Sequence, residues 1–123
     1  MALQANNVIK SLAGLNATLL FIGFCKVTGW TLHNNSTGVR VVKLFDLGRL
    51  PLVGIDVPLS KIIIPFASTA NQGTNFSEAS FGSGVPFYNG LAYCVTGAVA
   101  DLDKTAVSLD DVDGILDWTV RTD

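Results

Sequence analysis

The sequence predicts a single-domain, all-β fold: a β-sandwich or jelly-roll-like barrel with an extended N-terminal arm. Three observations predict it. Short runs rich in Val, Ile, Leu, Phe and Thr recur along the chain, Gly, Pro and Asn punctuate the gaps between them, and no stretch keeps a helical period. A chain of 123 residues forms one domain around one core. We divide it into an arm, 1–16, and a sandwich, 17–123.

In the arm, Val8, Leu12 and Leu15 suit either one helical turn or an extended segment. Gly14 and the asparagines weaken a helix, which favours the arm. Ala17–Lys26 is rich in Leu, Phe and Ile and reads as a strand. Val27–Asn34 sets Trp30 and Leu32 at period two, with Thr28 and Thr31 as β-favouring company. Asn34-Asn35-Ser36-Thr37-Gly38 is a turn, because these residues tolerate left-handed backbone or bond their own main chain. In Val39–Asp46, Val39, Val41, Lys43 and Phe45 alternate with Arg40, Val42 and Leu44, which predicts a strand buried mainly on one side.

Leu47–Pro58 is a long loop broken by Gly48, Pro51, Gly54 and Pro58. Leu59–Ala67 returns to strand through Ile62, Ile63 and Ile64, and Pro65 marks an edge or a bulge. Ser68–Gly73 is a polar loop. Thr74–Phe81 is a strand closed by Gly82-Ser83-Gly84. In the strand Pro86–Gly97, Leu91, Tyr93 and Val95 alternate with Ala92, Cys94 and Thr96. Ala100–Asp113 is an acidic loop, and Gly114–Thr122 is the last strand.

Only 15% of residues are charged, against roughly 25% in soluble domains, and mean hydropathy is +0.44. Such a chain either crosses a membrane or covers its surface in an assembly. The longest apolar stretch, Leu19–Cys25, ends at Lys26, far short of the about 20 residues of a spanning helix. No small-x-small cleavage site follows it, which argues against a secretion signal. Assembly is the expectation. A net charge of −2 without a Lys/Arg cluster excludes an electrostatic nucleic-acid footprint.

Catalytic chemistry finds no foothold, so we expect no enzyme, no cofactor and no small-molecule substrate. His33 is the single histidine and ends a strand beside a turn, with no triad motif near it. Gly82-Ser83-Gly84 lacks the strand–turn–helix setting of a nucleophile elbow. Asp101, Asp103, Asp110, Asp111 and Asp113 supply hard oxygens, but Lys104 and Ala106 break a calcium-loop spacing, so the segment reads as a solvated acidic turn. Glu78, the single glutamate, makes no glycosidase pair. Cys25 and Cys94 lie in apolar runs and read as buried free thiols, with one disulfide between them as the alternative.

Three stretches carry a resemblance. They are Trp30–Ser36 followed by Val39–Asp46; Leu50-Pro51-Leu52-Val53-Gly54-Ile55-Asp56-Val57-Pro58; and Phe87 to Gly97, with Gly90-Leu91-Ala92 and Val95-Thr96-Gly97, followed by Ala100–Val107 and Asp110-Asp111-Val112. Across roughly residues 27–120, this order resembles small virion proteins of tailed bacteriophages, of the capsid decoration (cement) type. The N-terminal segment departs from it, being more apolar. The resemblance implies a structural protein on the capsid surface, assembled in the host cytoplasm. It would bind and stabilise the major capsid protein lattice and contact copies of itself as a homo-oligomer, without nucleic acid or membrane. The residues expected at such contacts are Leu3, Val8, Ile9 and Leu12 in the arm, and Leu50, Val53 and Ile55 in the long loop. The alternatives are a tail, baseplate or fibre component, and a carbohydrate-binding module stacking sugars on Trp30, Trp118, Tyr88 and Tyr93.

Overall fold

The computed structural model describes residues 2–12, 14, 16–66, 74–78 and 84–121. The loop expected at Ser68–Gly73, the end of the strand expected to reach Phe81, and Gly82-Ser83 lie outside them. The described residues form strands β1 (Ala2–Lys10), β2 (Thr18–Ile22), β3 (Cys25–Asn34), β4 (Arg40–Phe45), β5 (Ser60–Ile64), β6 (Thr74–Glu78), β7 (Val85–Phe87), β8 (Gly90–Thr96) and β9 (Val112–Arg121), with no helix among them. All pairings are antiparallel. One sheet runs β1-β9-β3-β6, with β7 also on β3; the other runs β2-β8-β4-β5. The fold is therefore all-β in two sheets, consistent with a β-sandwich.

The pairing is nested in sequence. β4 pairs β5, β3 pairs β6, β2 pairs β8 and β1 pairs β9. The segment read as an arm is extended over β1, which lies in unbroken register along β9 from Ala2↔Arg121 to Lys10↔Asp113.

Strand boundaries differ from the sequence reading in three places. The break between the second and third strands falls at Gly23-Phe24 rather than after Lys26; Gly23 turns the chain at φ +124°. The run from Pro86 to Gly97 is two strands, β7 and β8, split by a bend at Tyr88-Asn89. Val112 and Asp113 belong to β9 rather than to the acidic loop.

The main core lies between the sheets. Val27 and Leu32 on β3, Leu44 on β4, Leu91 on β8 and Leu116 and Trp118 on β9 meet there, with Phe87 of β7. On β3 a bulge between Val27 and Gly29 inserts one residue against β9. It shifts the inward set from Cys25 and Val27 to Trp30, Leu32 and Asn34, which keeps apolar residues on the core side. Opposite Leu32 stands Gly114, where a Cβ would lie 2.1 Å from the Thr31 carbonyl oxygen.

Asn34 is buried and fully used. Its Nδ2 donates to the Gly38 and Ile64 carbonyls (both 3.0 Å), and its Oδ1 accepts from the Ser36 N–H (2.9 Å) and hydroxyl (2.7 Å). The expected turn therefore forms by side-chain mimicry of a backbone turn, and it ties β3 to the end of β5.

The strand Val39–Asp46, which the alternation predicts to be buried mainly on one side although both faces carry apolar residues, is covered on both: Val41 to Phe45 are all buried. The inner residues Val42 and Leu44 join the main core, while Phe45 joins Ala92 and Cys94 in a second cluster on the outer face. Two loops cover that face, and they form the candidate site.

Candidate protein-contact site

The first covering segment, Leu47–Leu59, crosses the outer face of the second sheet as a strap. It leaves β4 beside the β7–β8 bend, where Asp46 Oδ1 accepts from the Asn89 N–H (2.7 Å) and Gly48 lies against Asn89 and Ile22. Val53 reaches down onto the Phe45–Ala92–Cys94 cluster. Gly54, at φ +90°, abuts the Lys104 side chain, and the Leu59 N–H returns to the Leu44 carbonyl (2.8 Å).

The strap is held by its own polar groups. Arg49 donates to both oxygens of Asp56 (2.8 and 2.9 Å), and Asp56 also accepts from the Leu52 N–H (2.7 Å). The Ile55 and Asp56 N–H groups donate to the Leu52 carbonyl (3.0 and 2.9 Å). The Arg49 guanidinium, then the Leu52 N–H, hold the Asp56 carboxyl below the usual carboxylate range. Pro51 and Pro58 are buried anchors. With its polar groups turned on one another, the strap presents apolar ones: Leu50 (56% exposed), Leu52, Ile55 (71%), Val57 (64%) and Leu59. Ile22 and Tyr88 continue the exposed apolar set near its start.

The second covering segment is the acidic loop after β8, and Lys43 fastens it. Lys43 is fully buried, and its ammonium donates to the carbonyls of Ala100 (2.7 Å), Asp103 (2.9 Å) and Asp101 (3.3 Å). Three donors meet three acceptors, which is what a buried ammonium requires. The loop's carboxylates are dispersed. Asp101 pairs with Lys61 (2.7 Å), Asp110 with Lys10 (3.2 Å) and Asp111 with Arg40 (2.9 Å), while Asp103 accepts from the Thr105 N–H and hydroxyl. Burial pushes the Asp103 carboxyl up, but the Thr105 hydrogen bonds and the Lys43 ammonium outweigh it and leave it lowered. Among the described residues, no three His, Cys, Asp or Glu side chains are grouped to hold a metal ion.

The residues expected at partner contacts are distributed unequally. Leu50 and Ile55 stand exposed on the strap, and Leu12 is exposed after β1. Val53 is partly buried and serves as the strap's own anchor. Ile9 requires correction: it is fully buried in the main core beside Gly114, so its side chain is not available to a partner. Leu3 and Val8 lie on β1 opposite Val120 and Ile115; their side chains lie outside the described set.

Of the four aromatics considered as sugar platforms, Trp118 and Tyr93 are buried and Trp30 packs against the core. Tyr88 is exposed, with its ring 5.3 Å from that of Phe24. Both cysteines are free. Cys25 lies between the sheets and Cys94 on the outer face, which separates them by a sheet. Burial raises both thiols to about 11.

Sequence reasoning missed Lys43, Arg49 and Asp56. A lysine inside Val-Val-Lys-Leu-Phe was the available signal for the first. Arg49 and Asp56, facing each other across a Pro/Gly-bounded loop, were the signal for the others. No protein family, no curated protein and no solved structure matches the chain.

Proposed function

We propose that this chain is a structural virion protein of the capsid decoration type. It would bind the major capsid protein lattice and copies of itself, and carry out no catalysis. The observation that carries the reading is the strap: five exposed aliphatic residues on a loop cross-tied by the bidentate Arg49–Asp56 pair. Exposed apolar surface on an ordered scaffold marks a contact site, and a preformed loop loses little conformational entropy when it docks.

The nested strand order supports a finer fold reading. With β7 taken as an appendage of β8, eight strands fall into two four-stranded sheets, β1-β9-β3-β6 and β2-β8-β4-β5, as a long hairpin rolled on itself would. We read this as a jelly roll, an architecture used by viral capsid domains. In this reading residues 1–16 act as an extended arm laid along the sheet edge, with its outer side facing neighbours.

The test is co-sedimentation with empty heads of the source virus. The unmodified chain is expected to pellet with the heads, and an Ile55→Asp, Val57→Asp variant to lose pelleting while keeping its melting temperature. Failure of the unmodified chain to pellet, or unchanged pelleting of the variant, overturns the assignment.

A further inference from the structure

We propose that β1 is the seam of a two-fold dimer, in which the outer edges of β1 from two copies pair antiparallel and join two sheets into one. This deepens the assembly reading above by naming the contact between copies, and it makes no use of the strap.

Among the described residues β1 is the end strand of its sheet, with β9 as its only neighbour. Its nine residues run in unbroken register with β9, without a bulge. A regular strand of that length leaves every second N–H and C=O facing outward, a template for a further strand. Among the described residues the other edge strands carry features that discourage such pairing: β6 is five residues long and ends in Glu78. β2 has an irregularity between Leu19 and Phe21. β5 is five residues long, carries Lys61 and is followed by Pro65. β7 is three residues long and contains Pro86. β1 has neither proline nor charge from Ala2 to Ile9.

In a second copy the uncharged run Ala2–Ile9 meets itself without like charges in contact, and charge favours the antiparallel sense. Lys10, the one charged residue of β1, pairs with Asp110 of its own chain. Antiparallel pairing centred on Asn6 sets Lys10 of one copy opposite Ala2 of the other, whereas parallel pairing in register would set Lys10 beside Lys10. A two-fold contact also uses both edges at once, so association closes at two and does not grow into a fibre. The pairing adds about eight main-chain hydrogen bonds.

Hydrogen exchange and sedimentation velocity on the unmodified chain, at micromolar and at millimolar concentration, test the seam. The mass is expected to double, and alternate β1 amides to slow by about ten-fold, while β2 and β5 amides stay unchanged. Asn6→Lys, which sets lysine opposite lysine, is expected to return the monomer mass, and mixing it with Asn6→Asp to restore the dimer. A monomer mass at both concentrations, or a dimer whose β1 amides exchange at an unchanged rate, overturns the proposal. A chain that binds heads yet stays monomeric overturns the seam alone. One that dimerises through β1 yet ignores heads overturns the capsid assignment alone.

Discussion

The two sheets treat their outer faces differently. On the β1-β9-β3-β6 sheet the outer face carries Lys26, Thr31, His33, Asp113, Asp117 and Thr119, all at least partly exposed, and buried residues alternate along most of β3. On the β2-β8-β4-β5 sheet, β8 is buried at every position and β4 from Val41 to Phe45, because the strap and the acidic loop form a third layer over them. A strand acquires a two-sided apolar pattern when something covers its second face. Here two irregular loops do so, one fastened by Lys43 and the other anchored by Val53 and cross-tied within itself by Arg49–Asp56. Burial of this third layer leaves the strap's own apolar residues as the next surface outward.

The comparison is tested hardest at Lys43. Lys43→Ala removes three carbonyl partners and leaves a cavity, for an expected loss of about 3–5 kcal/mol in urea unfolding. Lys43→Met keeps the volume and loses less, but frees the amides of 100–105 to exchange. A loss under about 1 kcal/mol for the alanine variant would mean that the third layer is not fastened there.

Phe45 and Phe87 compare the layers directly, since both are buried, one under the strap and one between the sheets. Each phenylalanine-to-alanine change is expected to cost about 3–5 kcal/mol. If Phe45→Ala costs less than half of Phe87→Ala, the strap is a loose cover rather than a packed layer.

The thiols sharpen the same question. With both raised to about 11, only about one in a thousand is thiolate at pH 8. Ellman's reagent is expected to modify neither until the chain unfolds, and to reach both together. Faster reaction at Cys94 would report opening of the strap by itself.

The smallest effect concerns pH. The folded carboxyl of Asp56 sits below its unfolded value, so its contribution is fully present above about pH 3.9 and is lost as pH falls through the lower folded value. Amide protection at Leu52 is expected to hold across neutral pH and to decline only in acid below that point. The melting temperature should hardly move, because the pair is largely solvent-screened.

One-sided elements were the most legible in the sequence. Trp30 and Leu32 at period two, the Asn34–Gly38 turn and the Ile62–Ile64 run reflect local chemistry, and each stands near where that chemistry puts it. Two-sided burial was not legible. Val-Val-Lys-Leu-Phe reads as a half-polar strand until a loop some 60 residues away supplies carbonyls to the lysine. The β7–β8 bend was hidden because Asn89-Gly90 runs straight into an apolar strand, although that dipeptide is itself a turn signal. Ile9 and Leu12 look alike in sequence, and only the register against Gly114 separates the buried one from the exposed one.

The nested ladder dictates an order of events during folding. The β4–β5 hairpin closes the shortest span; each outer pair, β3–β6, then β2–β8, then β1–β9, joins segments that are distant until the pair inside it has formed. Collapse should spread outward from residues 40–64 on the slow timescale of non-local β-proteins, and the first and last strands should be both the last to dock and the first to fray.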